Sequence, residues 1–511
     1  MKKSLFVAFV VSLGGFLFGF DAGIISGVMS YAGPEFNLTD AQLGWAVSSP
    51  SFAAMIAMLV SGRLSDIIGR KKILILVALL YAVSAILSAL ATSFEMLYIA
   101  RMIGGVAFGA ALILAPIYIS EISSSENRGK LVSIQQLNIV LGFFAAFLSN
   151  YFFNKVFTSG ESTFLNQDNV WRWMLGVELL PALLYFFLLF FVPKSPRWLF
   201  LKKKNQEATS VLINIHGKTF AEKEVVTILD GLKLSENNEK IRIKDLFKPS
   251  LKYVLIVGLT IGILQQITGI NAIYFYATSI FKQTGIGTDA AFASGILLSL
   301  TTLVFTVVAI LLIDKIGRRP LLLFGTLGIS ISLLLCAYGF NQATYKLTTK
   351  KIAQLKFPSK ENLLQFSDKT FTNDVSFKNT MKSTLGNKVY LENEGDILEV
   401  ATTMNATLVL IGVLGFIACF AFSLGPVMWV MLSELFPNLY RGLAIGFIGF
   451  VNSFVSWVVQ LVFPWELSNI GNTLSFFIFG IIALIGFFIM LKILPETKGK
   501  SLEELEIELL K

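Results

Sequence analysis

Histidine is nearly absent from this 511-residue chain. The single copy, His216, falls in a polar stretch. A relay of imidazoles through an apolar interior is therefore excluded, and a buried group that titrates must be a carboxylate. Cysteine is almost as scarce. Cys336 and Cys419 each sit inside an apolar run, which supports neither a disulfide framework nor a thiolate metal site. Charged residues make up only 15% of the chain. No nucleophile–base constellation and no cluster of metal-ligating spacing stands out among them, so no enzyme, cofactor or metal is expected. The net charge of +9 does not point to nucleic acid, because the Lys and Arg residues lie beside apolar runs and not in a patch interleaved with aromatics.

What the chain has in abundance is apolar sequence. It is 55% hydrophobic, with 46 Phe and 40 Gly, and its mean hydropathy is +0.71. Twelve segments reach the roughly 20 apolar residues that a bilayer span needs. They lie near 5–30, 41–62, 73–92, 95–120, 130–152, 171–192, 252–280, 290–313, 321–340, 404–432, 442–463 and 472–494. The first follows Met1-Lys2-Lys3 but shows no small-residue cleavage pattern and runs on to Met29, so it reads as a membrane helix and not a removed leader.

Two signatures each occur twice. Asp66, Gly69 and Arg70 recur as Asp314, Gly317 and Arg318, all at an offset of 248. Glu121 and Arg128-Gly129 recur as Glu434 and Arg441-Gly442, at an offset of 313. The chain is thus two related halves, the second enlarged by about 65 residues between its signatures. Repeats of apolar segments indicate a transporter whose site lies between the repeats. The fold expected is an all-α membrane protein with twelve transmembrane helices in two pseudo-symmetric six-helix bundles. Residues 1–192 form the first bundle and 251–494 the second. A linker with short helices spans 193–250, and 495–511 form a tail.

Lys and Arg set the orientation. The connections at 63–72, 128–130 and 315–319 are basic, whereas those at 31–40, 93–94 and 464–471 hold no Lys or Arg. Both termini are therefore expected in the cytoplasm, with the chain multi-pass in a plasma (inner) membrane. Residues 341–402 are the enlargement and are expected on the opposite side, as a folded cap or a disordered loop. Their nine Lys break the asymmetry, but long translocated segments escape that rule.

Ionisable groups inside the spans are few, and each is a functional candidate. Asp21 lies deep in the first, Arg101 in the fourth and Glu178 in the sixth. An aspartate poised between a cation and protonation suits proton carriage. A permanent Asp21–Arg101 bridge fixing helix register is the alternative. Amides form a second set. Gln265, Gln266 and Asn271 lie in the seventh span, with Gly269 loosening the helix between them, and Gln136, Trp429 and Asn452 lie in the fifth, tenth and eleventh. Amides offer paired donors and acceptors to vicinal hydroxyls, and Trp a flat apolar face. Each amide alone equally serves as glue between helices. The duplicated residues Asp66, Arg70, Glu121 and Arg128, with Asp314, Arg318, Glu434 and Arg441, read as a cytoplasmic network able to lock the halves together, or as topology and helix capping alone.

With these residues in place, the chain resembles the sugar porter family of the major facilitator superfamily, in the type of the bacterial proton–xylose symporters. The matching segments are Gly19 to Gly27, Asp66 to Arg70, Pro116 to Gly129, Pro193 to Trp198, Gln265 to Asn271, Asp314 to Arg318, Gly425 to Arg441 and Pro495 to Gly499. The resemblance implies that Asp21 and Arg101 couple protons, with Glu178 nearby. It also implies that Gln136, Gln265, Gln266, Asn271 and Trp429 bind sugar, with Asn452 at the site. Four positions depart from the pattern: Lys194 for a Glu, Phe143 for a Gln, Thr302 for an Asn and Phe275 for a Tyr. The expected function is proton-coupled import of a monosaccharide, hexose or pentose, by a monomer in the lipid bilayer. A uniporter with a structural Asp21 is the alternative, and a membrane sugar sensor a more distant one.

Overall fold

The computed structural model describes residues 2–124, 127–160, 164–236, 242–500 and 502–509. Twelve helical spans are long and apolar enough to cross a membrane. They are Lys3–Glu35, Asp40–Ile68, Arg70–Ala89, Phe94–Ile122, Gly129–Thr158 and Val170–Phe190, then Pro249–Phe275, Thr288–Ile316, Arg318–Asn341, Ala406–Leu435, Leu439–Asn469 and Gly471–Ile493. All twelve expected segments are present. Leu180, Phe187, Phe324 and Phe488 are exposed along them, as bilayer-facing side chains must be.

Local chemistry sets the ends. The Ser93 hydroxyl accepts from the Met96 N–H at 3.2 Å and starts the fourth span. Gly69 (φ 108°) and Gly317 (φ 105°) turn the chain tightly between spans two and three and between spans eight and nine. Two spans are interrupted. The sixth breaks at Val177–Glu178 between helices Val170–Gly176 and Leu179–Phe190. The seventh breaks at Gly269 (φ 87°) into helices Lys252–Ile267 and Ile270–Phe275, and a separate helix, Ala277–Lys282, follows the end of the span after Tyr276.

The chain forms two compact units that divide four spans partway along, spans one, two, five and six. The first comprises Met1–Asp21, Ser49–Ala146 and Leu175–Arg242. Its core gathers Val10, Leu17, Tyr81, Ala111, Leu114 and Tyr118. The first and fifth spans touch backbone to backbone here, since a Cβ on Gly19 would collide with the Ile139 carbonyl and one on Gly142 with that of Phe16. The linker helices Asn205–His216 and Lys218–Glu236 build a small core on Leu199, Phe200 and Leu212. His216 Nε2 lies 2.7 Å from the Ile122 carbonyl and holds the linker to the end of the fourth span.

The second unit comprises Ala22–Ser48, Phe147–Met174 and Ile243–Lys511. It includes the enlargement, which is folded. Strands β1 (Thr344–Lys346), β2 (Thr370–Phe371) and β3 (Thr402–Thr403) form an antiparallel sheet ordered β2-β1-β3, with Tyr345 opposite Phe371 and Thr344 opposite Thr403. Helices Asp374–Leu385 and Asn387–Ala401 close a core of Tyr345, Leu363, Phe377, Met381, Tyr390 and Leu398. Of the two expectations for this segment, the cap is the one observed. Buried Asp374 ties it to the twelfth span, accepting from the Asn472 N–H at 3.0 Å and Nδ2 at 2.8 Å, with Lys378 Nζ at 3.4 Å.

Candidate functional site

Asp21 and Arg101 meet inside the first unit. Arg101 donates from both terminal nitrogens, to Asp21 Oδ1 at 3.2 Å and Oδ2 at 3.4 Å, and both residues are buried. A bidentate guanidinium–carboxylate pair is strongly oriented, and losing either partner strands a charge in a low dielectric. Glu178 is buried at the break of the sixth span and shares the electrostatic surroundings of Asp21 and Arg101. Among the described residues its carboxylate makes no ion pair with Arg101. Tyr81 donates to the Gly14 carbonyl at 3.1 Å and packs the first span against the third.

The amides meet inside the second unit. Asn271 Nδ2 donates to Gln266 Oε1 at 2.9 Å, across the Gly269 break. Gln266 Nε2 donates to Gln265 Oε1 and to Asn452 Oδ1, each at 3.2 Å. Asn452 Nδ2 returns to Gln265 Oε1 at 2.8 Å, and Gln265 Nε2 donates to the Leu424 carbonyl at 2.9 Å. Spans seven, ten and eleven are thereby linked through one amide network. Two members escaped the sequence reading. Ser456 accepts from Asn271 at 2.6 Å and from Gln460 Nε2 at 2.8 Å. They sit at i+4 and i+8 from Asn452, a helical stripe that the sequence does display. Trp429 stands apart from these bonds. It is 44% exposed and lies beside Gly449. Gln136 is half-buried on the fifth span, in the first unit.

The duplicated signatures form two clusters, one in each unit. Arg70 pairs with Asp66 at 2.6 Å and Glu121 at 3.1 Å, and donates to the Ser65 carbonyl at 3.1 Å. Arg318 pairs with Asp314 at 3.1 Å and Glu434 at 2.8 Å, and donates to the Ile313 carbonyl at 3.2 Å. Each cluster closes within its own unit. Arg441 bonds the Phe436 carbonyl at 3.2 Å and makes no ion pair among the described residues. The Arg128 side chain lies outside the described residues. A third repeat completes both clusters. Pro193 and Ser195 recur as Pro495 and Thr497, at an offset of 302. Ser195 donates to Glu121 Oε2, and Thr497 donates to Glu434 Oε2 at 2.6 Å.

Elsewhere in the second unit, residues from both sequence halves bond. The Thr278 N–H donates to Ser26 Oγ at 2.9 Å. Tyr31 donates to Asn154 Oδ1, and Asn154 Nδ2 donates to Asp289 Oδ1 at 2.5 Å. The sequence reading missed this set, because its members share no repeat and no spacing.

Residues 7–357 and 388–509 match the profile of the family described as sugar (and other) transporter. The chain belongs to that family. Its relatives include the arabinose-proton symporter of Bacillus subtilis, 32% identical over 98% of this chain and 94% of that protein. The D-xylose-proton symporter of Escherichia coli gives the same three figures, and the glucose transporter GlcP of Staphylococcus epidermidis is 32% identical over 100% of this chain and 98% of its own length. Among solved structures, the inward open conformation of the E. coli xylose transporter XylE matches with a TM-score of 0.75 at 30% identity, covering 98% of this chain and 99% of that one. XylE is described as a proton:xylose symporter of the major facilitator superfamily in its complex with 6-bromo-6-deoxy-D-glucose, which matches at 0.70. The fold is therefore the twelve-helix major facilitator fold. Within the family match, residues 358–387 of the cap are the part left out.

Proposed function

We propose that this chain imports a monosaccharide with a proton, as a monomer in a plasma (inner) membrane with both termini cytoplasmic. Bundles 1–192 and 251–494, joined by the 193–250 linker, alternate access to a central site. The observation that carries the reading is the buried bidentate Asp21–Arg101 pair, in a family whose relatives include proteins named as sugar-proton symporters. Ionised Asp21 holds Arg101. Protonation cancels the charge of the carboxylate, frees Arg101 and permits the change of access, with Glu178 tuning the exchange. Gln136, Gln265, Gln266, Asn271 and Asn452 offer donors and acceptors to sugar hydroxyls, and Trp429 offers an open ring face. The clusters of Asp66, Arg70, Glu121 and Arg128 and of Asp314, Arg318, Glu434 and Arg441 act at the cytoplasmic gate.

Uptake into proteoliposomes tests this. Asp21→Asn cannot titrate and mimics the protonated side chain. It is expected to keep sugar binding and sugar–sugar exchange and to lose accumulation driven by an inward proton gradient. Accumulation at the wild-type level in this variant would falsify coupling through Asp21. The same bidentate geometry also suits a permanent bridge in a uniporter, and wild-type uptake indifferent to the gradient establishes that reading instead.

A further inference from the structure

Beneath the cap, inside the second unit, lies a cavity of about 330 Å³, at the small end of the roughly 300–1,000 Å³ of small-molecule sites. The cap supplies Lys382, Asn387 and Glu394 to its wall, and the first two spans and the turn between them supply Ser30 and Asp40. Lys282 closes it from helix Ala277–Lys282, just beyond the seventh span, next to Phe275, Tyr276 and Ser279. The cap is positioned over this space by three contacts: Asp374 on the twelfth span, Glu394 Oε1 accepting from Gln283 at 3.1 Å, and Asn387 donating to Asn37 Oδ1 at 2.8 Å.

The lining has unused polar capacity of both signs. Lys282 is half-buried and makes no ion pair among the described residues. Burial pushes its ammonium down to about 8, against the opposing pull of Glu394 and Asp396. Glu394 Oε1 is taken by Gln283 and by Tyr390 at 3.2 Å, which leaves Oε2. Two ammonium groups face two carboxylates, so the lining has no net charge to select an ion. Ammonium donors, carboxylate acceptors and hydroxyls beside aromatic rings match an uncharged polyhydroxylated molecule, whose vicinal hydroxyls donate and accept at once.

We propose that the cavity under the cap is a second solute site, a waiting site for a monosaccharide before it reaches the central amides. This rests on the sugar reading above. Because Phe275 and Tyr276 line it, an occupant there touches the segment that links the cavity to Asn271 across helix Ile270–Phe275.

A thiol footprint tests it. Ser30→Cys is introduced with Cys336→Ala and Cys419→Ala, and the purified protein is labelled with a maleimide in the presence of D-xylose or D-glucose. The Gln266→Ala background disables the central site. The sugar is expected to slow labelling in that background, and adding Lys282→Met is expected to raise the half-protecting concentration about tenfold, the loss of one charge-assisted hydrogen bond. Ser279→Cys is the second reporter if the first variant folds poorly. Protection absent, lost with Gln266→Ala, or unmoved by Lys282→Met overturns the second site. Unchanged transport by Gln266→Ala would instead remove Gln266 from the central site, while the footprint would still report on the cavity.

Discussion

The arginine clusters of the two halves are built from the same parts and differ at one. In both, an arginine after a glycine turn reaches back to the carbonyl five residues earlier, grips an aspartate one turn away, and bridges to a glutamate that also accepts from a hydroxyl. The equivalent distances agree within a few tenths of an ångström except at the aspartate. The difference lies at the middle residue of the third repeat. In the second half it is Glu496, whose carboxylate accepts from the N–H groups of Arg318 at 3.1 Å and Arg319 at 3.2 Å, capping the ninth span. In the first half it is Lys194, which turns to the linker and pairs with Glu207 at 2.7 Å. Among the described residues, no side chain accepts from the N–H of Arg70 or Lys71. The motif therefore has two separable functions: holding arginine to glutamate, which both halves keep, and capping the following helix, which only the second keeps.

The strongest test of that equivalence is to remove each arginine. The Arg70 and Glu121 side chains are 7% and 5% exposed, those of Arg318 and Glu434 13% and 18%. Arg70→Ala strands a more deeply buried carboxylate and is expected to cost about 3–5 kcal/mol. Arg318→Ala is expected to cost about 1–3 kcal/mol, because Glu434 has more access to solvent, while each glutamate keeps its hydroxyl partner. Thermal unfolding of the two variants in detergent orders them, and an Arg318→Ala loss equal to or larger than that of Arg70→Ala breaks the burial argument.

Next in size is the cap that only one half has. Glu496→Ala removes the acceptor from two N–H groups at the start of the ninth span and is expected to cost about 0.5–2 kcal/mol, the usual range for a lost helix cap. Lys194→Ala removes no cap and is expected to change stability by under about 1 kcal/mol. Equal unfolding midpoints for the two variants would mean that Glu496 contributes nothing beyond a surface charge.

How far this was legible follows from the same residues. The offsets of 248 and 313 are visible because aspartate, glycine, arginine and glutamate recur unchanged. The offset of 302 was masked, since only the proline is identical: lysine answers glutamate and serine answers threonine. The pairing of Asp21 with Arg101, and of the seventh-span amides with Asn452, was legible because polar groups inside apolar spans must find partners. Gly269 announced one helix break; the break beside Glu178 is flanked by the same kind of signal, Gly176 and Pro181, in a run apolar enough to read as one uninterrupted span. The fold of the cap was not legible. Its core joins Tyr345, Phe377 and Leu398 from segments too short to show a period, and Asp374 finds Asn472 at a separation of 98 residues.

The smallest effect sharpens the comparison most, because it rebuilds the missing part. Lys194→Glu places a carboxylate where the second half has Glu496, facing the uncapped start of the third span. A negative charge at a helix N-terminus contributes about 0.3–1 kcal/mol. Against it stands the lost Lys194–Glu207 pair, whose side chains are 44% and 40% exposed and whose contribution is about 0.2–1 kcal/mol. Lys194→Gln loses the same pair without adding the charge, so the comparison between the two variants isolates the cap. Lys194→Glu is expected to unfold about 0.3–1 kcal/mol above Lys194→Gln at neutral pH. Acid separates the two contributions again. The hydrogen bond from Lys194 holds the Glu207 carboxyl below the usual glutamate range. A depressed folded-state pKa gives stability that is present above the unfolded value and lost as pH falls through the folded one. That loss belongs to the wild type and is absent from both variants. Unfolding midpoints taken from neutral pH down through the glutamate range should therefore show wild type converging on Lys194→Gln. Lys194→Glu should keep its lead until its own new carboxylate is protonated. Identical midpoints for the two variants at neutral pH would mean that the third span needs no cap, and that the second half's Glu496 serves Thr497 and Lys498, whose N–H groups it also accepts, more than it serves the ninth span.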